Sequence, residues 1–162
     1  MKAGLLKDII DRRPDNVRLL GMDISKNNIG LALSDAGHSI ATPLRTIKRV
    51  KFTRDIQEIK AVIDDYGVGG FVLGYPVNMD GSEGARCESI RHFADEMKNH
   101  PDIFGKNPWI ALWDERLSTV SVENFLVESV DMSRTKRKQV VDALAAQHIL
   151  QGALDFIQGM KV

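Results

Sequence analysis

The chain has 162 residues, 43% hydrophobic and 27% charged, enough to bury the core of one domain and too few for two full ones. No run approaches the roughly 20 apolar residues of a membrane span, and the N-terminal MKAGLLKDIIDRRPD lacks the long apolar stretch of an export signal. Lys plus Arg and Asp plus Glu balance at 22 each, so no net field draws the protein toward a polyanion and any nucleic-acid surface must be local. Two basic runs qualify: Arg45, Lys48, Arg49, Lys51 and Arg54, with no acid among them, and Arg134, Lys136, Arg137 and Lys138 within five positions. The single Cys87 has no partner for an internal disulfide and sits in a helically spaced segment, which predicts a reduced, partly buried thiol and a cytoplasmic location.

In chain order, Leu5, Leu6, Ile9 and Ile10 predict a short amphipathic helix ended by Pro14. Residues 17–24, 29–34 and 40–47 read as three strands joined by short loops, an antiparallel meander. The rhythm then changes. Ile56, Ile59, Val62, Ile63 and Tyr66 repeat at helical spacing up to Gly67, and residues 70–74 form a short buried strand. Ile90, Phe93, Ala94 and Met97 mark a helix ending before Pro101, and residues 109–113 form the last strand. Two helices follow, one with Val122, Phe125 and Leu126 inward, the other with Val141, Leu144, Ala145 and Ile149. A meander followed by crossover units predicts an α/β fold with a mixed sheet, three antiparallel strands plus parallel ones, flanked by helices.

Three acids stand at places such a sheet can bring together: Asp23 near the end of the first long strand, Glu115 just past the last strand, and Asp142 early in the final helix. An acid at a strand end is ordinarily a solvated turn residue. Asp142 is different, because Val141, Ala143, Leu144, Ala145 and Ala146 surround it and a carboxylate in an apolar helical segment is costly unless a cation meets it. No fixed protein cation is expected among the three. Oxygen ligands suit Mg²⁺ or Mn²⁺, and two such ions about 3.5–4 Å apart serve phosphodiester hydrolysis. His38, His92, His100, His148 and Cys87 show no zinc-ligand spacing, and no nucleophile-elbow motif supports a Ser-His-Asp centre.

Five blocks add a family resemblance: residues 21–23 (GMD), 29–35 (IGLALSD), 74–81 (GYPVNMDG), 114–119 (DERLST) and 141–146 (VDALAA). Together, over about residues 17–155, they resemble the YqgF family of Holliday junction resolvase-like proteins, also described as pre-16S rRNA nucleases. The resemblance implies a single ribonuclease H-like domain over 1–162, with 1–15 as an N-terminal helical extension. It implies catalytic, metal-holding acids at Asp23, Glu115 and Asp142, and divalent-metal nuclease activity in maturation of the 5′ end of ribosomal precursor RNA. The family usually has glycine at the position of Ser25 and arginine at that of Asn28, so here a side chain is added to a turn and a cation removed.

Other residues are candidates for substrate contact. The loop 74–81 leads into a helix expected near Ser82, where backbone N–H groups could receive phosphate, and the resemblance raises Asn78 and Asp80 above ordinary turn chemistry. Arg116 can pair with Asp114, contact phosphate or be solvated. Arg134, Lys136, Arg137 and Lys138 fall at the start of a helix, where cations oppose the macrodipole, and phosphate binding explains that placement.

The expected partners are structured RNA of a ribosomal precursor, with a four-way DNA junction as the nearest alternative, and no membrane. Junction cleavage calls for a symmetric dimer, so both monomer and homodimer stay open. An actin-like kinase needs a second domain for which the chain is too short. An inert nucleic-acid-binding module is the remaining alternative, and the intact acids argue against it.

Overall fold

A computed structural model describes residues 3–117 and 134–159, with side chains given for 3–116 and 140–159. The elements run β1 (Gly4–Leu5), α1 (Leu6–Ile9), a 3₁₀ turn (Ile10–Arg12), β2 (Arg18–Ile24), β3 (Asn28–Ser34), β4 (Ala41–Lys48), α2 (Phe52–Tyr66), β5 (Val68–Tyr75), α3 (Ala85–Lys98), α4 (Pro101–Phe104), β6 (Ile110–Asp114), a second 3₁₀ turn (Glu115–Leu117) and α5 (Arg134–Gly159). The expected helix carrying Val122, Phe125 and Leu126 lies outside the described residues.

The strands make one six-stranded sheet in the order β1-β6-β5-β2-β3-β4. The predicted meander is there, with β2 antiparallel to β3 and β3 antiparallel to β4, while β2, β5, β6 and β1 pair in parallel. Strict alternation divides each central strand between two cores. Leu20, Met22 and Ile24 of β2 pack with the cluster under α2, α3 and α4, whereas Leu19 joins the cluster beneath α5. Burial on both faces explains why these strands read as near-continuous apolar runs.

Three local expectations shift. The N-terminal segment is only partly helical: Gly4 and Leu5 add an edge strand, Gly4 beside Ala111 and Leu5 beside Leu112. The apolar spacing correctly marked Leu6 and Ile9 as buried, but the open edge of β6, far away in sequence, captures the preceding residues. The helix expected near Ser82 begins at Ala85. Pro101, beyond ending a helix, also starts the short α4 from its first turn. Gly67, by contrast, closes α2 as read, with φ 66° in the left-handed region.

The long α5 crosses the sheet at its small residues. A Cβ at Gly21 would come within 2.7 Å of Leu150 Cβ, and one at Gly30 would overlap the carbonyl oxygen of Asp142. Three glutamines fix the helix's rotation. Gln151 Oε1 accepts from Ala41 N–H at 2.9 Å, Gln147 Nε2 donates to Ala41 O at 3.1 Å, and Gln158 Nε2 donates to His38 O at 2.7 Å. His38, itself buried, contacts Arg13 and bonds Val17 O at 2.7 Å, joining the N-terminal segment to the same corner.

Gly30→Ala should therefore destabilise the protein by about 1–3 kcal/mol through overpacking against the helix backbone. Gly159→Ala, with open space around it, should be neutral or slightly stabilising. Urea unfolding of the two variants checks the contrast, and equal stabilities would mean that α5 does not rest on β3 as described.

Candidate active site

Asp23 stands one residue before the end of β2, directly opposite Gly30 on β3. Opposed residues of an antiparallel ladder share a face, so the Asp23 side chain leaves the sheet on the side where α5 lies against Gly30. The Asp142 backbone is the part of α5 that touches Gly30. The first and third of the predicted acids are thus brought together by one close approach.

Glu115 arrives from the other direction. It follows β6 immediately, and its carboxyl carbon would lie 3.3 Å from a Cβ at Gly74, the β5 residue beside Trp113. Gly74 leaves room on that face for both Glu115 and Ile149 of α5. Three separate segments therefore deliver Asp23, Glu115 and Asp142 to the side of the sheet covered by α5.

The acids are coupled electrostatically. The Asp23 carboxyl is pushed up to about 6, first by burial and then by the charge of Asp142, against a smaller lowering from Arg86. Glu115 is also raised, by burial and then by the charge of Asp23, and is again lowered by Arg86. Asp23 is the hub of the set. As placed, no three His, Cys, Asp or Glu side chains among the described residues are gathered tightly enough to ligate one ion; the acids are coupled through space.

Arg86, the second residue of α3, was not apparent in the sequence. It is the cation whose field reaches both Asp23 and Glu115, correcting the expectation that the acids have no protein cation near them. Its only sequence signal is a position shortly after the 74–81 block, inside an ordinary amphipathic helix.

The remaining candidates separate. Arg116 pairs with Asp114: Nη2 is 2.7 Å from Oδ2, Nε lies 3.1 and 3.0 Å from the two oxygens, and this hydrogen bonding holds the Asp114 carboxyl below its ordinary range. Arg116 Nη1 also donates to Asn78 O at 3.3 Å, fastening the 74–81 loop to the end of β6. Within that loop Asp80 Oδ1 accepts from Ser82 N–H at 2.9 Å and Ser82 Oγ at 2.6 Å, and Asn78 Nδ2 donates to Ser82 Oγ at 3.0 Å. Asn78 and Asp80 are exposed yet engaged in building the turn. Arg134, Lys136, Arg137 and Lys138 begin the α5 backbone as expected, and their side chains lie outside the described residues.

The mixed sheet and its flanking helices define a ribonuclease H-like fold. Two solved structures share the architecture at low identity: the yeast mitochondrial Holliday junction resolvase Ydc2 (TM-score 0.51, 11% identity, 96% of this chain and 85% of that one) and T. thermophilus RuvC in complex with a Holliday junction substrate (TM-score 0.50, 12% identity, 88% and 96%). Residues 17–156 match the family model described as RuvX: Holliday junction resolvase. The chain belongs to this RuvX/YqgF family. Relatives from Paramagnetospirillum magneticum (54% identical, covering 85% of each chain) and Rhodospirillum rubrum (49% identical, 96% of this chain and 94% of the relative) carry names that assign them pre-16S rRNA nuclease activity.

The raised Asp23 carboxyl has a signed consequence. Between about pH 4 and 6 the folded state keeps a proton that the unfolded chain has released, so this group's stabilising contribution is present at low pH and lost as pH rises through about 6. Asp23→Asn removes that loss. In EDTA its stability relative to wild type should rise by about 2–3 kcal/mol from pH 4 to pH 7, measured by denaturant unfolding at each pH. A difference that stays flat with pH would show that Asp23 titrates normally.

Proposed function

We propose that the protein is a divalent-metal-dependent nuclease that cleaves structured RNA in the cytoplasm, at the 5′ end of precursor 16S ribosomal RNA. The observation that carries this reading is the coupling of Asp23, Glu115 and Asp142 on one face of the sheet. The names of relatives about half identical to this chain support the substrate.

The donor chemistry fits Mg²⁺ or Mn²⁺. The set is all carboxylate, it suits hard cations, and acids that raise one another's proton affinity are relieved by positive charge. Asp23, Glu115 and Asp142 are the residues that would hold the metal. When bound, such ions activate water and stabilise the leaving oxygen. The chain's own contributions are distinct: Gly30 and Gly74 make room for the acids, Arg86 offsets part of their repulsion, and the Asp114–Arg116 pair holds the neighbouring loop.

A four-way DNA junction is the second reading, favoured by the description of the family model. It would require a homodimer that places two sites on paired strands. Arg134, Lys136, Arg137 and Lys138 are assigned to phosphate contact under either reading.

One experiment separates the two. Purified wild type and the variants Asp23→Asn, Glu115→Gln and Asp142→Asn are incubated with a 5′-extended 16S precursor fragment and with a four-way DNA junction, in Mg²⁺, Mn²⁺ or EDTA. Wild type should cleave the RNA only with metal, and each variant should lose roughly a hundredfold or more. Full activity in any variant removes that residue from the site, and cleavage of the junction alone selects the second reading.

A further inference from the structure

The Arg45 to Arg54 run has no place in the acid site, yet part of it borders a groove beside the end of β2 that carries Asp23. The groove has a volume of about 1180 Å³ and lies between the β2–β3 turn, the β4–α2 connection and α3. That exceeds the roughly 300–1,000 Å³ of small-molecule pockets, and its walls combine exposed charged residues with an apolar floor that includes Ile24, Ile90 and Phe93. The size and character suit a polymer segment better than an enclosed metabolite.

We propose that this groove receives a single-stranded stretch of the nucleic-acid substrate next to the scissile phosphate, with Arg49, Lys51 and Arg86 as its phosphate contacts. This rests on the nuclease reading above and names where the strand runs.

Continuity is the first support. Ile24 and Ser25, the two residues after Asp23, line the groove, and Arg86 lines it too while its charge reaches Asp23 and Glu115. None of the three acids lines the groove, and Arg86 is the residue that links it to Asp23 and Glu115. Preorganisation is the second. Arg49 Nη1 donates to Ser25 O at 2.7 Å, its backbone N–H donates to Asn27 O at 2.8 Å, and its guanidinium carbon sits 5.6 Å from the centroid of the Phe93 ring. A guanidinium fork held this way loses little freedom on meeting phosphate.

Charge and surface chemistry are the third support. Exposed Lys26, Lys51 and Arg86 and half-buried Arg49 face exposed Glu88 and half-buried Glu96. The remaining lining acid, Asp55, is turned inward at 2% exposure and accepts from Val50 N–H at 3.1 Å. Val50 itself, 63% exposed, gives the basic wall an apolar spot for a base. Basic tracks with interspersed apolar contacts are how single strands are held without sequence reading.

The test is fluorescence anisotropy of an unstructured, fluorescein-labelled RNA 12-mer in EDTA, across a salt series, with wild type, Lys51→Gln, Arg86→Gln, Arg49→Gln and Arg49→Lys. Lys51→Gln should keep the wild-type melting temperature, Arg86→Gln should melt lower because it no longer offsets the charge of Asp23 and Glu115, and each should bind several-fold more weakly and lower the log–log salt slope by about 0.7. Arg49→Lys should keep the slope that Arg49→Gln loses. If Arg49→Gln fails to fold, the other variants decide. Folded Lys51→Gln and Arg86→Gln proteins with wild-type affinity and slope overturn the proposal, as does equal displacement of the RNA by polyglutamate at matched charge. The two readings fail separately. Loss of cleavage in Asp23→Asn with normal binding by the groove variants sinks the groove alone, whereas weakened binding by those variants in a protein that cleaves nothing sinks only the nuclease reading.

Discussion

The backbone of α5 lies directly on the backbone of β3 at Gly30, and the site depends on that approach. With any side chain at position 30 the Asp142 carbonyl would be displaced, and α5 would lift from the strand that faces Asp23. Gly21 allows the same closeness about one to two turns further along the helix, at Ala146 and Leu150. The glutamines at 147, 151 and 158 then hold the helix against the β3–β4 corner at one rotation. Depth and phase together determine where a carboxylate near the start of a 26-residue helix ends up.

Bringing acids together costs stability, and the fold spreads that cost. Burial and mutual repulsion raise both Asp23 and Glu115, while Arg86 lowers both. Asp114, next to Glu115 in sequence, adds only the last and smallest of the charges that raise Glu115, because Arg116 engages it and in turn bonds the Asn78 carbonyl. Adjacent acids thus serve different ends: one is held ionised by a guanidinium, and the other is directed under α5 with its proton affinity increased.

Much of the fold was legible because its rules are local. Near-continuous apolar runs gave β2, β3 and β5, the spacing from Ile56 to Tyr66 gave α2, and Gly67 gave its end. What escaped was non-local. The pairing of Gly4 and Leu5 with β6 depends on an open edge about a hundred residues away, and no local period reports it. The acids were readable for a similar reason: Asp23 and Glu115 sit at strand ends, and Asp142 conflicts with its apolar neighbours. Arg86 conflicts with nothing in its helix, so only the packing of α3 against β5 reveals it. The chain has Asn28 where arginine is usual in the family, yet a guanidinium still reaches the β2–β3 turn, donated by Arg49 across it. Ser25, in place of the usual glycine, closes that turn by accepting from Asn28 N–H at 3.2 Å.

The central claim is that Asp23 and Asp142 form one electrostatic unit because α5 rests on Gly30. A double-mutant cycle in stability tests it most directly, with wild type, Asp23→Asn, Asp142→Asn and the double variant unfolded by urea in EDTA at pH 8, well above the value of about 6 to which Asp23 is raised. Each single substitution relieves the same repulsion, so the double variant should gain less than the sum of the two, with a coupling of about 0.5–3 kcal/mol. Additivity within about 0.3 kcal/mol would mean that the two carboxylates do not sense each other, and would contradict the site.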